Sequence, residues 1–159
     1  MSMSPVTTAS GPAVKPQGCT YLKLRQLVRV VGAVYDTELA KAGLKTTQYS
    51  LLSAIVRLGP LRAVALAHTL HMSTSTLSRN LRPLIDAGWV EQASGPDARS
   101  WFIQATDAGQ AKRTEAQKRW RVAQESINQT LGVDQVVALH GLMDASLAAL
   151  DRGEAEEGL

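Results

Sequence analysis

Between Ser73 and Gly88 the chain encodes one helix with two chemically different faces, and that contrast constrains the fold more than any other feature. Leu77, Leu81, Leu84 and Ile85 recur at spacings of three and four, which places them on a single face. Thr74, Ser75, Thr76, Ser78, Arg79, Asn80 and Arg82 occupy the remainder, and Asp86 is the only acid in the span. A helix face turned to water usually mixes Glu with Lys. Hydroxyls, an amide and guanidiniums instead suit the major groove of a duplex: Arg bonds guanine or phosphate, Asn pairs bidentately with adenine, and Ser or Thr serves base edge or backbone. Ser73 is a good N-cap and is counted with the same polar surface, and Gly88 is suited to the left-handed residue past the helix end. Pro83 removes a backbone donor from the interior, so a bend is expected there.

The surrounding segments extend the pattern. Gly59-Pro60 is expected to close one helix and start the next, in which Leu61, Val64, Leu66, Ala67 and Leu70 form an apolar stripe, with a turn at His71-Met72. Residues 89–92 and 101–104 are aromatic and β-branched and flank the turn cluster Ser94-Gly95-Pro96-Asp97-Ala98-Arg99, which predicts a hairpin. Arg99 at its tip suits an A·T-rich minor groove, and Asp97 is placed to hold the guanidinium. Helix, turn, helix, hairpin is the order of a winged helix-turn-helix.

Long amphipathic helices bracket this unit. Leu24, Leu27, Val28, Val31, Val34, Tyr35 and Leu39 give an apolar face to a first helix over about 19–42, and a second follows over 47–58. Thr106 is an N-cap candidate with Asp107 beside it to complement the helix dipole. The helix it opens carries Ala116, Trp120, Ala123, Ile127 and Leu131, and a last one carries Val136, Leu139, Met143, Leu147 and Leu150.

On these residues the chain resembles the MarR (multiple antibiotic resistance regulator) family of winged-helix transcription regulators. The matching pieces are Gly43 to Tyr49, Leu66-Ala67, Leu77 to Leu84, Ala87 to Val90, Asp97-x-Arg99 and Thr106-x-x-Gly109. Pro83 fits too, since Arg-Asn-Leu-Arg-Pro-Leu resembles a version common in one branch of the family. Relatives often carry Asp-Arg where this chain has Ser73-Thr74, so a hydroxyl stands in place of a usual base-reading arginine. The resemblance implies a mainly α fold with a small β-hairpin wing, dimerised through its N- and C-terminal helices. Its expected division is a disordered arm over 1–18, dimerisation helices over 19–45 and 106–152, a DNA-binding region over 46–105, and an acidic tail over 153–159. C2 pairing sets two reading heads one DNA turn apart.

Charge distribution agrees. Net charge is +3, and residues 1–105 hold 11 Lys or Arg against 5 Asp or Glu, while residues 106–159 hold 6 against 9. The positive excess lies in the part that includes the reading head. No apolar segment of signal-peptide type begins the chain, no stretch is expected to span a membrane, and one cysteine excludes an internal disulfide, so a cytoplasmic protein is expected. Gly-x-Ser-x-Gly, phosphate-loop and His-Glu-x-x-His patterns are absent from the sequence, so no enzyme is expected. No cofactor or metal is expected either, because His68 and His71 have neither cysteine nor acid close by in sequence.

The resemblance further implies a homodimeric regulator of bacterial or archaeal type, most simply a repressor that leaves a palindromic DNA operator when an inducer binds. In the family the ligand cleft lies where the first, second and fifth helices meet the reading head, and many relatives take aromatic carboxylates there. Arg25 and Arg29, with Tyr21 and Tyr49, are the candidate ligand residues: guanidinium suits a carboxylate and tyrosine adds ring contact with a hydroxyl. Two alternatives remain open at this point. One is redox sensing through Cys19, just ahead of the first helix; the other is a helical protein-interaction module without DNA binding.

Overall fold

The computed structural model describes residues 15–95 and 101–157. Helix α1 (Thr20–Leu39) ends in a single 3-10 turn (Ala40–Ala42) closed by Gly43 in the left-handed region, and α2 (Thr46–Leu58) follows. The start of α2 is capped from outside its own segment. Asp36 of α1 accepts both the Thr46 amide (2.9 Å) and the Thr46 hydroxyl (2.7 Å), while Gln48 accepts the Lys45 amide at 2.9 Å. These bonds satisfy amides that the first helical turn leaves without partners, and they tie α1 to α2.

Gly59-Pro60 does not lead directly into a helix. A two-residue strand β1 (Leu61–Arg62) intervenes before α3 (Ala63–Thr69), with Leu61 opposite Ile103 and Arg62 opposite Phe102. The expected stripe is corrected accordingly: Leu66 and Ala67 are buried, but Val64 is 69% exposed. His71 forms the turn at φ 50°, and α4 (Thr74–Asp86) opens on Ser73 as expected. The close of α4 is a Schellman arrangement: Gly88 N–H donates to the Ile85 carbonyl and Trp89 N–H to that of Leu84, both at 2.9 Å, with Gly88 at φ 72°.

Strands β2 (Val90–Ser94) and β3 (Trp101–Ala105) pair antiparallel, and the sheet order is β1-β3-β2. Asp97 and Arg99 lie outside the described residues. Helix α5 (Asp107–Leu131) then leaves the sheet with Thr106 as its cap, its hydroxyl accepting from Gly109 N–H at 3.1 Å and donating to the Gly88 carbonyl at 2.7 Å. Gly109 is there for space. A Cβ at this position would lie 1.9 Å from the Trp89 carbonyl oxygen.

Two apolar clusters result. Leu51, Leu52, Ile55, Leu66, Leu77, Leu81, Leu84, Val90 and Ile103 join α2, α3, α4 and the sheet into the winged unit. Leu39, Ala42, Leu44, Tyr49 and Ala116 join the end of α1 and the start of α2 to α5, and Trp89 packs against both clusters. Helix α6 (Val133–Glu157) runs further than the sequence suggests, so the acidic end belongs to the helix; Ala, Glu and Leu are strong helix formers. Val133–Asp151 is also long and apolar enough to cross a membrane by length and composition, contrary to expectation, and only 6% of it is buried in the protomer. It carries Asp134, Asp144 and Asp151, and its exposed apolar residues include Val133, Val137, Leu142, Leu147 and Leu150.

Two measurements probe these joints. Gly109→Ala forces a methyl against backbone and is expected to cost about 3 kcal/mol in denaturant unfolding; wild-type stability would show that the seat of α5 has slack. Asp36 has its carboxyl held below the ordinary value by the Thr46 hydroxyl and then the Thr46 amide, against an opposing effect of burial, with the smallest, lowering effect from Lys45. Its contribution to stability is therefore full above the ordinary carboxylate value of 3.8 and is lost as pH falls through the lowered folded value. Asp36→Asn is expected to cost about 1 kcal/mol at neutral pH and to flatten this part of the acid limb in thermal melts.

Candidate nucleic-acid interface

The outer face of α4 is organised from its first residue. The Ser73 hydroxyl accepts the Thr76 amide at 3.2 Å and lies 2.9 Å from the Thr76 hydroxyl and 3.1 Å from that of Ser75. Ser73 is thus engaged as a cap, and its role at a ligand is to fix the helix start. Ser78 donates its hydroxyl to the Thr74 carbonyl at 2.9 Å, which leaves its oxygen as an acceptor. Thr74, Ser75, Ser78, Arg79 and Arg82 are exposed, while Thr76 and Asn80 are half-buried.

Both cations of this face are oriented, and one of them is paired with an acid. Arg79 Nη2 reaches the Thr76 hydroxyl at 3.5 Å, and Arg82 Nε lies 2.9 and 3.1 Å from the two oxygens of Asp86. That pair is largely exposed, so its net strength is small, but it steers the guanidinium along the helix. Asn80 directs its amide toward Met72 Sδ at 3.9 Å, a weak contact that a base edge can replace. Pro83 leaves the Arg79 carbonyl without its intrahelical donor, as the sequence implies.

Sequence reasoning missed a neighbour of this surface. A recess of about 170 Å³ lies between the start of α2 and α4, lined by Lys45, Thr47, Gln48, Arg79, Asn80 and Pro83. Lys45 and Arg79 bring an ammonium and a guanidinium to this recess, beside a helix start whose first amide is already taken by the Asp36 carboxylate, so the two side chains are its cations. The run Lys45-Thr46-Thr47-Gln48 at a helix start was the available signal.

Of the residues expected to hold an inducer, Tyr21 and Arg25 are brought together and Tyr49 lies apart from them. Arg25 donates to the Tyr21 hydroxyl at 3.2 Å and sits 5.5 Å over its ring, on the exposed first turns of α1; Arg29 is exposed as well. Tyr49 packs near Leu39 at the opposite end of α1, about 20 Å away along an axis rising about 1.5 Å per residue. There it stacks on Trp120 with ring centroids 6.4 Å apart. Both rings line a cleft of about 320 Å³ between α2 and α5, together with Ser50, Ser53, Arg57, Leu70, Arg113 and Gln117. Ser53 Oγ and Arg113 Nε are buried there without a hydrogen-bond partner, although Arg113 Nη1 reaches Gln117 at 2.9 Å. Cys19 is exposed at the N-cap of α1.

Comparison with known proteins gives a consistent picture. A family model described as MarR family matches residues 42–100. The transcriptional regulator MOSR of M. tuberculosis, solved in complex with DNA, is 30% identical, with 82% of this chain and 98% of that chain covered at a TM-score of 0.67. A mutant MarR from E. coli, complexed with operator DNA, shares the fold at 22% identity and a TM-score of 0.70, with coverage of 80% and 95%. An uncharacterized HTH-type transcriptional regulator of Bacillus subtilis, YwoH, is 25% identical over 93 residues, which is 58% of this chain and 68% of that protein.

The α4 surface and the recess are expected to divide specificity from affinity. Arg79→Ala is expected to change sequence preference by about 1–3 kcal/mol at one base position. Lys45→Ala is expected to weaken all duplexes alike and to lower the salt slope of log affinity by about one. Anisotropy titrations over a panel of duplexes at several salt concentrations separate these outcomes, and equal behaviour of the two variants would refute the division.

Proposed function

The chain belongs to the MarR family of DNA-binding transcription regulators, and from that premise we propose a homodimeric, cytoplasmic repressor that leaves a palindromic operator when a small aromatic acid enters the cleft between α2 and α5. The reading heads take the major groove with Thr74, Ser75, Thr76, Ser78, Arg79, Asn80 and Arg82, and the wing residues Asp97 and Arg99 take the adjacent minor groove. Dimerisation follows from the apolar residues that the protomer leaves in water: Tyr21, Leu22, Leu24 and Val28 on α1, and Val137, Leu142, Leu147 and Leu150 on α6. A patch of this kind needs a partner, and a second copy sets two half-sites about 10 bp apart.

The observation that carries the inducer reading is the composition of the cleft. Tyr49 and Trp120 provide aromatic walls, Arg57 and Arg113 provide cations, and Arg113 Nε and Ser53 Oγ are buried polar atoms awaiting a partner. A flat ring bearing a carboxylate satisfies all three at once, since guanidinium binds carboxylate strongly where water is excluded. Leu70 lines the same cleft one residue before the His71 turn, so the occupant touches the segment that leads into α4.

Calorimetric titration with benzoate, hydroxybenzoates and pyridine carboxylates tests this reading. One member of the series is expected to bind wild type, raise its melting temperature and weaken operator binding. Arg113→Gln is expected to lose all three effects while keeping its affinity for DNA without ligand. Failure of every acid to bind wild type would overturn the inducer reading and leave DNA binding untouched.

A further inference from the structure

Trp101 stands on the outermost described rung of the wing, opposite Ser94, with 58% of its surface exposed. Two residues along β3, Ile103 is 2% exposed and packs in the cluster with Leu66, Leu77 and Leu84. Side chains alternate along a strand, so Trp101 shares the helix-facing side of the sheet with Ile103. It lies about 7 Å beyond it, at about 3.3 Å per residue, past the point where the helices cover the sheet. Phe102, on the opposite side, has the Arg62 guanidinium 5.9 Å over its ring. The two aromatic residues therefore face different surroundings, and Trp101 faces the gap between wing and recognition helix.

In a winged helix docked on DNA, the recognition helix enters the major groove and the wing enters the next minor groove. One sugar-phosphate strand runs between those grooves, and therefore between α4 and the helix-facing side of the wing. From this placement, which rests on the DNA reading above, we infer that Trp101 grips that strand. Its ring packs on the apolar face of a deoxyribose, and its indole N–H, a donor with no acceptor function, bonds a phosphate oxygen. The contact is continuous with the DNA surface formed by α4 and the wing, and its occupant is duplex backbone. It adds affinity and fixes the depth to which the wing enters, without reading a base. It also differs from every Lys or Arg contact in carrying no charge, so it displaces no counterion.

The experiment uses the full chain and duplexes enriched by the wild type from a random-sequence pool. Trp101→Ala is expected to weaken binding by about tenfold on all enriched duplexes alike, with the slope of log affinity against log salt unchanged, because no phosphate charge is neutralised by indole. Trp101→Phe keeps the ring without the donor and is expected to fall between the two. Wild-type tryptophan emission is expected to change on DNA binding, and Trp101→Phe, which keeps Trp89 and Trp120, is expected to lose that change. Variants that bind as tightly as wild type, a salt slope lowered by one, or an affinity loss matched by a lowered melting temperature would each overturn the inference. A wild type that enriches no duplex overturns the DNA reading beneath it, a result distinct from any of these.

Discussion

The peptide groups on either side of Trp89 join three elements, and the placement of the reading head depends on them. The Trp89 amide closes α4 on the Leu84 carbonyl at 2.9 Å, and the Trp89 carbonyl accepts the Thr106 amide at 3.1 Å. Gly109 comes so close to that carbonyl that no side chain fits. One residue therefore ends the recognition helix, begins the wing and seats the long helix that leads away from the DNA surface. The indole adds packing against both apolar clusters, and Lys112 lies 5.4 Å over its ring. The Trp89 junction is thus one place where α5 meets the winged unit, and its packing on α2 is another.

The two clusters share few residues, and that determines where a cleft can form. The winged unit has its own core of Leu, Val and Ile; the second cluster holds α5 against α1 and α2 with Leu39, Leu44, Tyr49 and Ala116. Between them, the outer side of α2 carries Ser50, Ser53 and Arg57 opposite Arg113 and Gln117 of α5. Polar residues at a seam between two apolar cores cannot pack as tightly as leucines, and they leave space that is both partly enclosed and charged. The ligand site proposed at this seam would be sensitive to, and would act on, the relative position of the two clusters.

Much of this was legible in the sequence because it rests on local rules. The Ser73 cap, the left-handed Gly88, the Thr106 cap and the inward Leu77, Leu81 and Leu84 follow from capping chemistry and a period of 3.6. What escaped depends on partners distant in the chain. Strand β1 is two residues long and exists only because Ile103 and Phe102 lie beside it, so no periodicity can reveal it. Asp36 caps a helix that begins ten residues later, which a search for capping residues next to the helix passes over. The grouping of Tyr49 with Arg25 likewise depends on distant partners: within the protomer the two neighbour opposite ends of α1. The apolarity of α6, a property of the helix taken alone, reads equally as a membrane segment or as half of a helix-pairing interface, and the protomer leaves most of it uncovered.

The connection between the cleft and α4 is short and hydrogen-bonded back to α3. Leu70 lines the cleft and donates its amide to the Leu66 carbonyl at the end of α3; His71 follows at φ 50°, a left-handed conformation that is uncommon for non-glycine residues but one in which histidine is over-represented. Met72 donates to Ala67, and Ser73 then caps α4. On the other side, His71 Nδ1 lies 3.5 Å from Asp151 of α6. The turn is thus held between the cleft and the helix that bears the exposed apolar face. Main-chain hydrogen bonds from Leu70, His71 and Met72 back to α3 hold this turn, so under the proposed reading a shift of Leu70 is passed to the first residues of α4, where Ser73, Thr76 and Arg79 are linked by hydroxyl contacts. In the DNA reading proposed above, the recognition surface begins within three residues of that turn, so a small change in its angle would move Arg79 and Asn80 relative to a groove whose donor and acceptor pattern tolerates little misalignment.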